Sequence, residues 1–218
     1  MPGLKEQIKN TIQEQGVIAI IRGVSEKDIC PLLDALICGG VRVSEITFGY
    51  FSDEETERII QKAVDYAKDK IYVGAGTVTC VNRARIAICA GADFMVAPNF
   101  SEKVINYCNQ EDKLIISGAF TPTEIINAHQ AGADFVKIFP ANLVGTQYFK
   151  NINALNYNIP LIAFAGITSE NIAEYIKAGA VGAGVGSELI NLKQIQNRNF
   201  AYVTQKAQEL LSAVKAVK

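Results

Sequence analysis

Apolar residues fall into eight short runs: 17–21 (VIAII), 43–47 (VSEIT), 71–74 (IYVG), 94–97 (FMVA), 114–117 (LIIS), 135–139 (FVKIF), 161–165 (LIAFA) and 183–185 (AGV). They are rich in apolar residues on both faces, as parallel strands covered by helices are. The pattern between them predicts helices near 26–38, 53–68, 79–90, 101–110, 123–131, 146–156 and 170–178. Residues 4–15 set Leu4, Ile8 and Ile12 on one helical face, placed to plug the N-terminal end of a barrel. A last amphipathic helix, 200–217, offers Phe200, Val203, Ala207, Leu210, Leu211 and Val214 for packing outside.

The joints carry their own signals. Thr121-Pro122-Thr123-Glu124 supplies an N-cap, an early proline and a capping-box glutamate. Ser101-Glu102 and Ser169-Glu170-Asn171 start two more helices. Gly39-Gly40, Gly91, Gly132 and Gly179 each fall just before a strand, where glycine gives the left-handed C-cap that reverses the chain. Eight βα units in 218 residues predict an α/β fold of one domain, 1–218: a (β/α)8 TIM barrel capped at its bottom by the N-terminal helix. An open doubly wound sheet is the alternative. It usually opens with a glycine-rich dinucleotide turn, and Ile21-Arg22-Gly23-Val24-Ser25 does not match one.

Composition narrows the function. Hydrophobic residues are 49%, charged residues 20% and the net charge is −1, so the chain is globular and lacks the positive surface of a nucleic-acid binder. No apolar stretch approaches the roughly 20 residues a membrane helix needs, and the first residues lack a signal-peptide core. The reading is therefore cytoplasmic, with no membrane and no nucleic-acid partner. Five cysteines, none in C-x-x-C spacing, read as small apolar fillers in a reducing compartment. The single histidine, His129, reads as a surface residue near a helix end. With no His or Cys cluster, no metal site and no cofactor are expected.

The chemistry centres on Lys137, inside the apolar run Phe135-Val136-Lys137-Ile138-Phe139-Pro140. Burial penalises an ammonium group and leaves a free amine able to attack a ketone. Alternation along the strand sends Phe135, Lys137 and Phe139 into the barrel and Val136 and Ile138 towards the helices. On the second strand Val43, Glu45 and Thr47 point inward and Ile46 outward. Glu45 and Lys137 then meet near the C-terminal end, where this fold builds active sites. A buried structural ion pair is the competing reading. A catalytic pair requires Glu45 to reach substrate or water without clamping the lysine.

Anion binding is the second signal. The loops after strands seven and eight offer Gly166, Gly186 and Ser187 as backbone donors for a phosphate, or simply tight turns. Arg22 ends the first strand as a cation at the same mouth, Thr77 follows the third and Pro98 follows the fourth.

Taken in order, Ala19-Ile20-Ile21-Arg22-Gly23, Gly39-Gly40-Val41 through Glu45-Ile46-Thr47, Gly74-Ala75-Gly76-Thr77-Val78, Ala97-Pro98-Asn99, Gly118-Ala119-Phe120-Thr121-Pro122, Val136-Lys137-Ile138-Phe139-Pro140-Ala141 and Gly184-Val185-Gly186-Ser187 form a specific signature. By it the chain resembles the bacterial 2-keto-3-deoxy-6-phosphogluconate (KDPG) / 4-hydroxy-2-oxoglutarate (KHG) aldolases. The resemblance implies a homotrimeric barrel and class I aldolase chemistry on a small keto acid, without metal. It makes Lys137 the Schiff-base lysine and Glu45 the acid/base, with Arg22, Thr77, Pro98 and Phe139 lining the pocket. Three departures stand out. Many members carry an arginine in the loop after strand two that holds the pyruvate carboxylate, where this chain reads Thr47-Phe48-Gly49-Tyr50. That task is expected to fall to Arg22, Thr77 or backbone donors. The usual paired glycines after strand seven read Phe164-Ala165-Gly166, and the usual Pro-Gly of strand five reads Ser117-Gly118. Pro98-Asn99 matches the relatives acting on the galactonate-derived epimer. An isomerase or epimerase using Glu45 as base, or a non-catalytic phosphometabolite binder, are the rival readings on the same barrel.

Overall fold

The computed structural model describes residues 2–218. Helix α1 (Leu4–Gln15) leads into β1 (Val17–Ile21), α2 (Ile29–Cys38), β2 (Val43–Thr47) and α3 (Asp53–Ala67). Then come β3 (Tyr72–Gly76), α4 (Val81–Cys89), β4 (Phe94–Val96), α5 (Glu102–Gln110), β5 (Leu114–Ala119) and α6 (Pro122–Gln130). The chain closes with β6 (Phe135–Ile138), α7 (Ala141–Asn153), β7 (Leu161–Phe164), α8 (Ile172–Lys177), β8 (Gly182–Val185), α9 (Leu192–Gln196) and α10 (Phe200–Lys215). The eight parallel strands pair in sequence order, and β8 pairs back onto β1 to close a barrel. All eight predicted strands are present. A closed (β/α)8 barrel, not an open sheet, is the architecture.

Alternation separates two apolar layers. Ile18, Ile20, Phe94, Ile116, Phe135 and Phe164 pack along the barrel axis, while Val136, Ile138 and Ile46 pack outward under the helices. Phenylalanines fit inside because glycines face them. A Cβ on Gly74 would lie 2.6 Å from the Phe94 ring, and one on Gly184 2.3 Å from the Phe164 ring. Ile8 and Ile12 of α1 join the inner layer and seal the bottom, as expected. Leu4, assigned to the same face, is instead 47% exposed.

The reversing glycines take their predicted conformation: φ is +91° at Gly40, +87° at Gly91, +92° at Gly132 and +96° at Gly179. Two following aspartates do more than turn the chain. Asp93 accepts a hydrogen bond from the Val73 amide (2.8 Å) and Asp134 from the Ile115 amide (2.9 Å), each tying a strand start to its neighbour. The Thr121/Glu124 capping box is formed. Ser101 and Asn171 start helices without capping them by their side chains. Three segments depart from the pattern. Helix α7 begins at Ala141, before the expected 146, and is interrupted at Gly145 (φ 66°, ψ −179°). Helix α8 begins only at Ile172, because the Asn171 side chain turns back to the preceding loop. Helix α9 was not expected; its Asn191 cap satisfies the Lys193 and Gln194 amides.

The cysteine reading holds for Cys108, which is buried, its thiol pushed up to about 12 by desolvation. It fails for Cys38, Cys80 and Cys89, which are exposed. His129 is half-buried rather than fully at the surface.

Candidate active site

Lys137 enters the barrel from β6, on the face of Phe135 and opposite Val136 and Ile138. It is 4% exposed, and its Nζ lies 4.3 Å from the Phe164 ring centroid and 5.0 Å from that of Phe139. Desolvation holds its pKa below the usual lysine value. Arg22 pushes the same way, and Glu45 opposes them. Glu45 enters from β2, is 1% exposed, and has its pKa raised by desolvation against the opposing pull of Lys137 and Arg22.

The two groups influence each other without clamping. Strands β2 and β6 stand four positions apart in the ring, so the side chains approach from opposite walls. Among the described residues no ion pair joins them, and Glu45 Oε2 is buried without a hydrogen-bond partner. A structural pair would satisfy both charges. A buried carboxylate oxygen left open is costly in a resting scaffold and useful to a passing proton.

Glycine makes this placement possible. A Cβ on Gly76 of β3 would sit 2.9 Å from the Glu45 carboxyl carbon, so the carboxylate lies directly over that backbone. Thr77, the next residue, takes φ +59°, a strained value for threonine, and its carbonyl accepts from Arg83 (3.4 Å). Arg83 also binds both oxygens of Asp53, at 3.1 and 3.2 Å, and lies 5.3 Å over the Phe48 ring, so it ties the loops after β2 and β3 together. On the other wall Gly118, paired with Lys137 across β5 and β6, leaves room for Pro98; a Cβ there would meet the Pro98 carbonyl carbon at 2.2 Å.

A cavity of about 450 Å³ opens beside this centre, walled by Ile20, Arg22, Gly166, Gly186 and Ser187 among others. It adjoins the centre on two sides. Ile20 pairs with Glu45, and the wall residue Ala165 follows Phe164. Among the described residues, nothing accepts the N–H groups of Gly166, Ile167, Gly186 or Ser187. Uncommitted amides beside an arginine suit an anion. A larger depression of about 530 Å³, between α2 and α3, contains none of the predicted residues.

The predicted residues thus form two adjoining clusters. Phe139 lies against the Lys137 amine, Glu45 faces it, Thr77 follows the glycine under Glu45 and Pro98 packs on the glycine paired with Lys137; Arg22, Gly166, Gly186 and Ser187 line the cavity. Sequence reasoning gave no role to four further residues. Phe164 forms the second ring on the amine. Thr47 faces inward one strand step from Glu45, is 6% exposed and has an unpartnered Oγ1. Arg83 and Asn171 brace loops. Strand alternation signalled the first two; nothing local signalled Arg83, whose partner Asp53 is thirty residues away, while Asn171 bonds within its own loop and an asparagine before a helix was its only signal. Among the described residues, no group of three His, Cys, Asp or Glu is arranged for a metal ion, and no helix is long and apolar enough to cross a membrane.

Comparison with known proteins agrees with this geometry. The family model for KDPG and KHG aldolase matches residues 8–206. The 2-dehydro-3-deoxy-6-phosphogalactonate aldolase of Escherichia coli is 34% identical over 201 residues, covering 92% of this chain and 93% of that protein. The 2-dehydro-3-deoxy-phosphogluconate aldolase of Treponema pallidum is 34% identical over 209 residues, covering 95% and 97%. A solved structure described as native KDPGal superposes with a TM-score of 0.84 at 32% identity, covering 92% of this chain and 95% of that one. With its barrel, its inward lysine and this extent of likeness, the chain belongs to the KDPG and KHG aldolase family.

Proposed function

We propose that the chain is a class I aldolase, a carbon–carbon lyase. It reversibly cleaves 2-keto-3-deoxy-6-phosphogluconate to pyruvate and glyceraldehyde 3-phosphate, or 4-hydroxy-2-oxoglutarate to pyruvate and glyoxylate. One observation carries this reading: an amine buried between two aromatic rings, with its pKa lowered, faces a carboxylate that does not neutralise it.

Each step uses a group in place. Lys137 Nζ adds to the C2 ketone. Glu45 shuttles protons as the carbinolamine loses water and becomes an iminium. Glu45, through a water, takes the C4 hydroxyl proton. The C3–C4 bond breaks, its electron pair enters the iminium, and the aldehyde leaves. Protonation of the enamine at C3 and hydrolysis release pyruvate and the free lysine. The iminium is the electron sink that a Lewis acid supplies in other aldolases. Arg22, the cation in the cavity wall, and the free amides of Gly166, Gly186 and Ser187 receive the substrate's anionic ends. A homotrimeric assembly belongs to the same reading and is checked by light scattering.

A second reading, the galactonate-derived C4 epimer as substrate, draws on Pro98-Asn99 and on the likeness to the phosphogalactonate aldolase of Escherichia coli. In either reading Gly49 (φ +98°) carries no side chain in the β2 loop, leaving Arg22 to hold the carboxylate. The test is pyruvate release from the three keto acids, each with and without EDTA. The proposal expects cleavage of at least one, undiminished by the chelator. Turnover that requires an added divalent ion, or no pyruvate from any of the three, rejects it.

A further inference from the structure

The turn after β7 is strained. Ala165 (φ +85°) and Gly166 (φ +71°) both occupy the left-handed region, and Ala165 carries a Cβ that disfavours it. Strain of this kind persists only where the surroundings hold it. One support is Asn142, which lies so close to Gly166 that a Cβ there would be 2.6 Å from its own Cβ. The other is Asn171, the residue before α8. Its Nδ2 donates to the Gly166 carbonyl (2.8 Å) and its Oδ1 accepts from the Thr168 amide (2.9 Å). One carboxamide thus spans the turn and satisfies a carbonyl on one side and an amide on the other. The Ile167 N–H between those anchors and the Gly166 N–H just before them stay uncommitted in the cavity wall.

We infer that Asn171 is a positioning residue for the phosphate end of the substrate. It touches no substrate atom. It draws the Gly166 carbonyl back and fixes the turn so that the Gly166 and Ile167 amides meet an anion without reorganising. The inference rests on the proposed reading of the cavity as an anion site.

The test compares KM for the phosphorylated keto acid with KM for its unphosphorylated counterpart, 2-keto-3-deoxygluconate, in the wild-type chain and in Asn171→Ala. We expect the variant to raise the first about tenfold, equivalent to about 1.4 kcal/mol, to raise the second far less, and to change kcat for the phosphorylated acid by no more than about twofold. Should the alanine variant not fold, Asn171→Ser, whose hydroxyl is too short to span the turn, is held to the same comparison. Equal shifts in both KM values, or a fall confined to kcat, overturn the inference. The wild-type chain separates the two ideas. If it discriminates between the acids and the variants keep that discrimination, only the role of Asn171 falls. If it does not discriminate and inorganic phosphate does not compete, the anion site itself falls.

Discussion

Replacing Lys137 with methionine separates a catalytic amine from a structural cation. Methionine keeps an unbranched side chain one atom shorter, which removes the charge and the nitrogen that lies over Phe139 and Phe164. Lys137 is 4% exposed and has no ion-pair partner among the described residues, so its ammonium form is desolvated and poorly compensated. The rings return part of that cost, about 0.5–2 kcal/mol each. Removing a buried charge that has no close partner lifts a desolvation cost of several kcal/mol, less what the rings and the attraction of Glu45 returned. The pH dependence follows from linkage. Desolvation sets the folded pKa below the unfolded one, so between the two values the unfolded chain binds more protons and wild-type stability rises with pH. Below the folded value both states are protonated and the native state bears the full cost. Lys137→Met should therefore be more stable than wild type in acid, with the gap narrowing as pH rises towards the ordinary lysine range. Urea unfolding from pH 5 to 9 measures this, repeated in a Glu45→Gln background to remove the coupled charge. Aldol cleavage should be lost at every pH. A variant less stable than wild type by 2 kcal/mol or more throughout the range would show Lys137 to be a paired structural cation, and the argument from burial would be wrong.

Three further outcomes test the rest of the site. Glu45→Gln should fold normally and lose cleavage by about 10²-fold or more; because burial raises the folded pKa of Glu45, its ionised form costs the native state more than the unfolded chain, and the variant gains stability near neutral pH but not in acid. Near-normal turnover would remove Glu45 from the mechanism. Gly76→Ala places a methyl group 2.9 Å from the Glu45 carboxyl and should lower kcat by about 10²-fold through displacement of the carboxylate, at an overpacking cost of about 1–3 kcal/mol; an unchanged kcat with a lowered melting temperature counts against close placement of Glu45. Arg22→Met should raise KM for every keto acid about tenfold or more if this arginine holds the carboxylate, and KM values within twofold of wild type assign that task elsewhere.

The barrel was legible because its physics is local and repeated. Apolar runs of strand length recur in every βα unit and reversing glycines in four of them, and Thr121/Glu124 or Gly132 act where the pattern puts them. Alternation also sent Lys137 and Glu45 inward, since one outward aliphatic on each side of Lys137 fixes the face. What the pattern could not carry was distance across the ring. Sequence brings Lys137 and Glu45 to the same end but not to a separation, and only the closed barrel shows them facing without pairing. Helix ends were misread where side chains turn away from the helix, as Asn171 does, or where glycine interrupts it, as Gly145 does. The exposed cysteines defeated a compositional rule because neither face of an amphipathic helix is marked by cysteine itself. The Arg83 brace was invisible because Asp53, thirty residues away, becomes its neighbour only after the loops are set on the barrel rim, whereas Asn171 bonds Gly166 and Thr168 within its own loop and was read only as a helix start.

The most direct measurement is chemical capture. Purified protein is incubated with pyruvate, reduced with borohydride and digested, and the peptide carrying the added mass is sequenced by mass spectrometry. Reduction should fix one pyruvate-derived group per chain on the ε-nitrogen of residue 137 and nowhere else. Recovery of that peptide unmodified, or a label spread over surface lysines instead, contradicts an aldolase built on this amine.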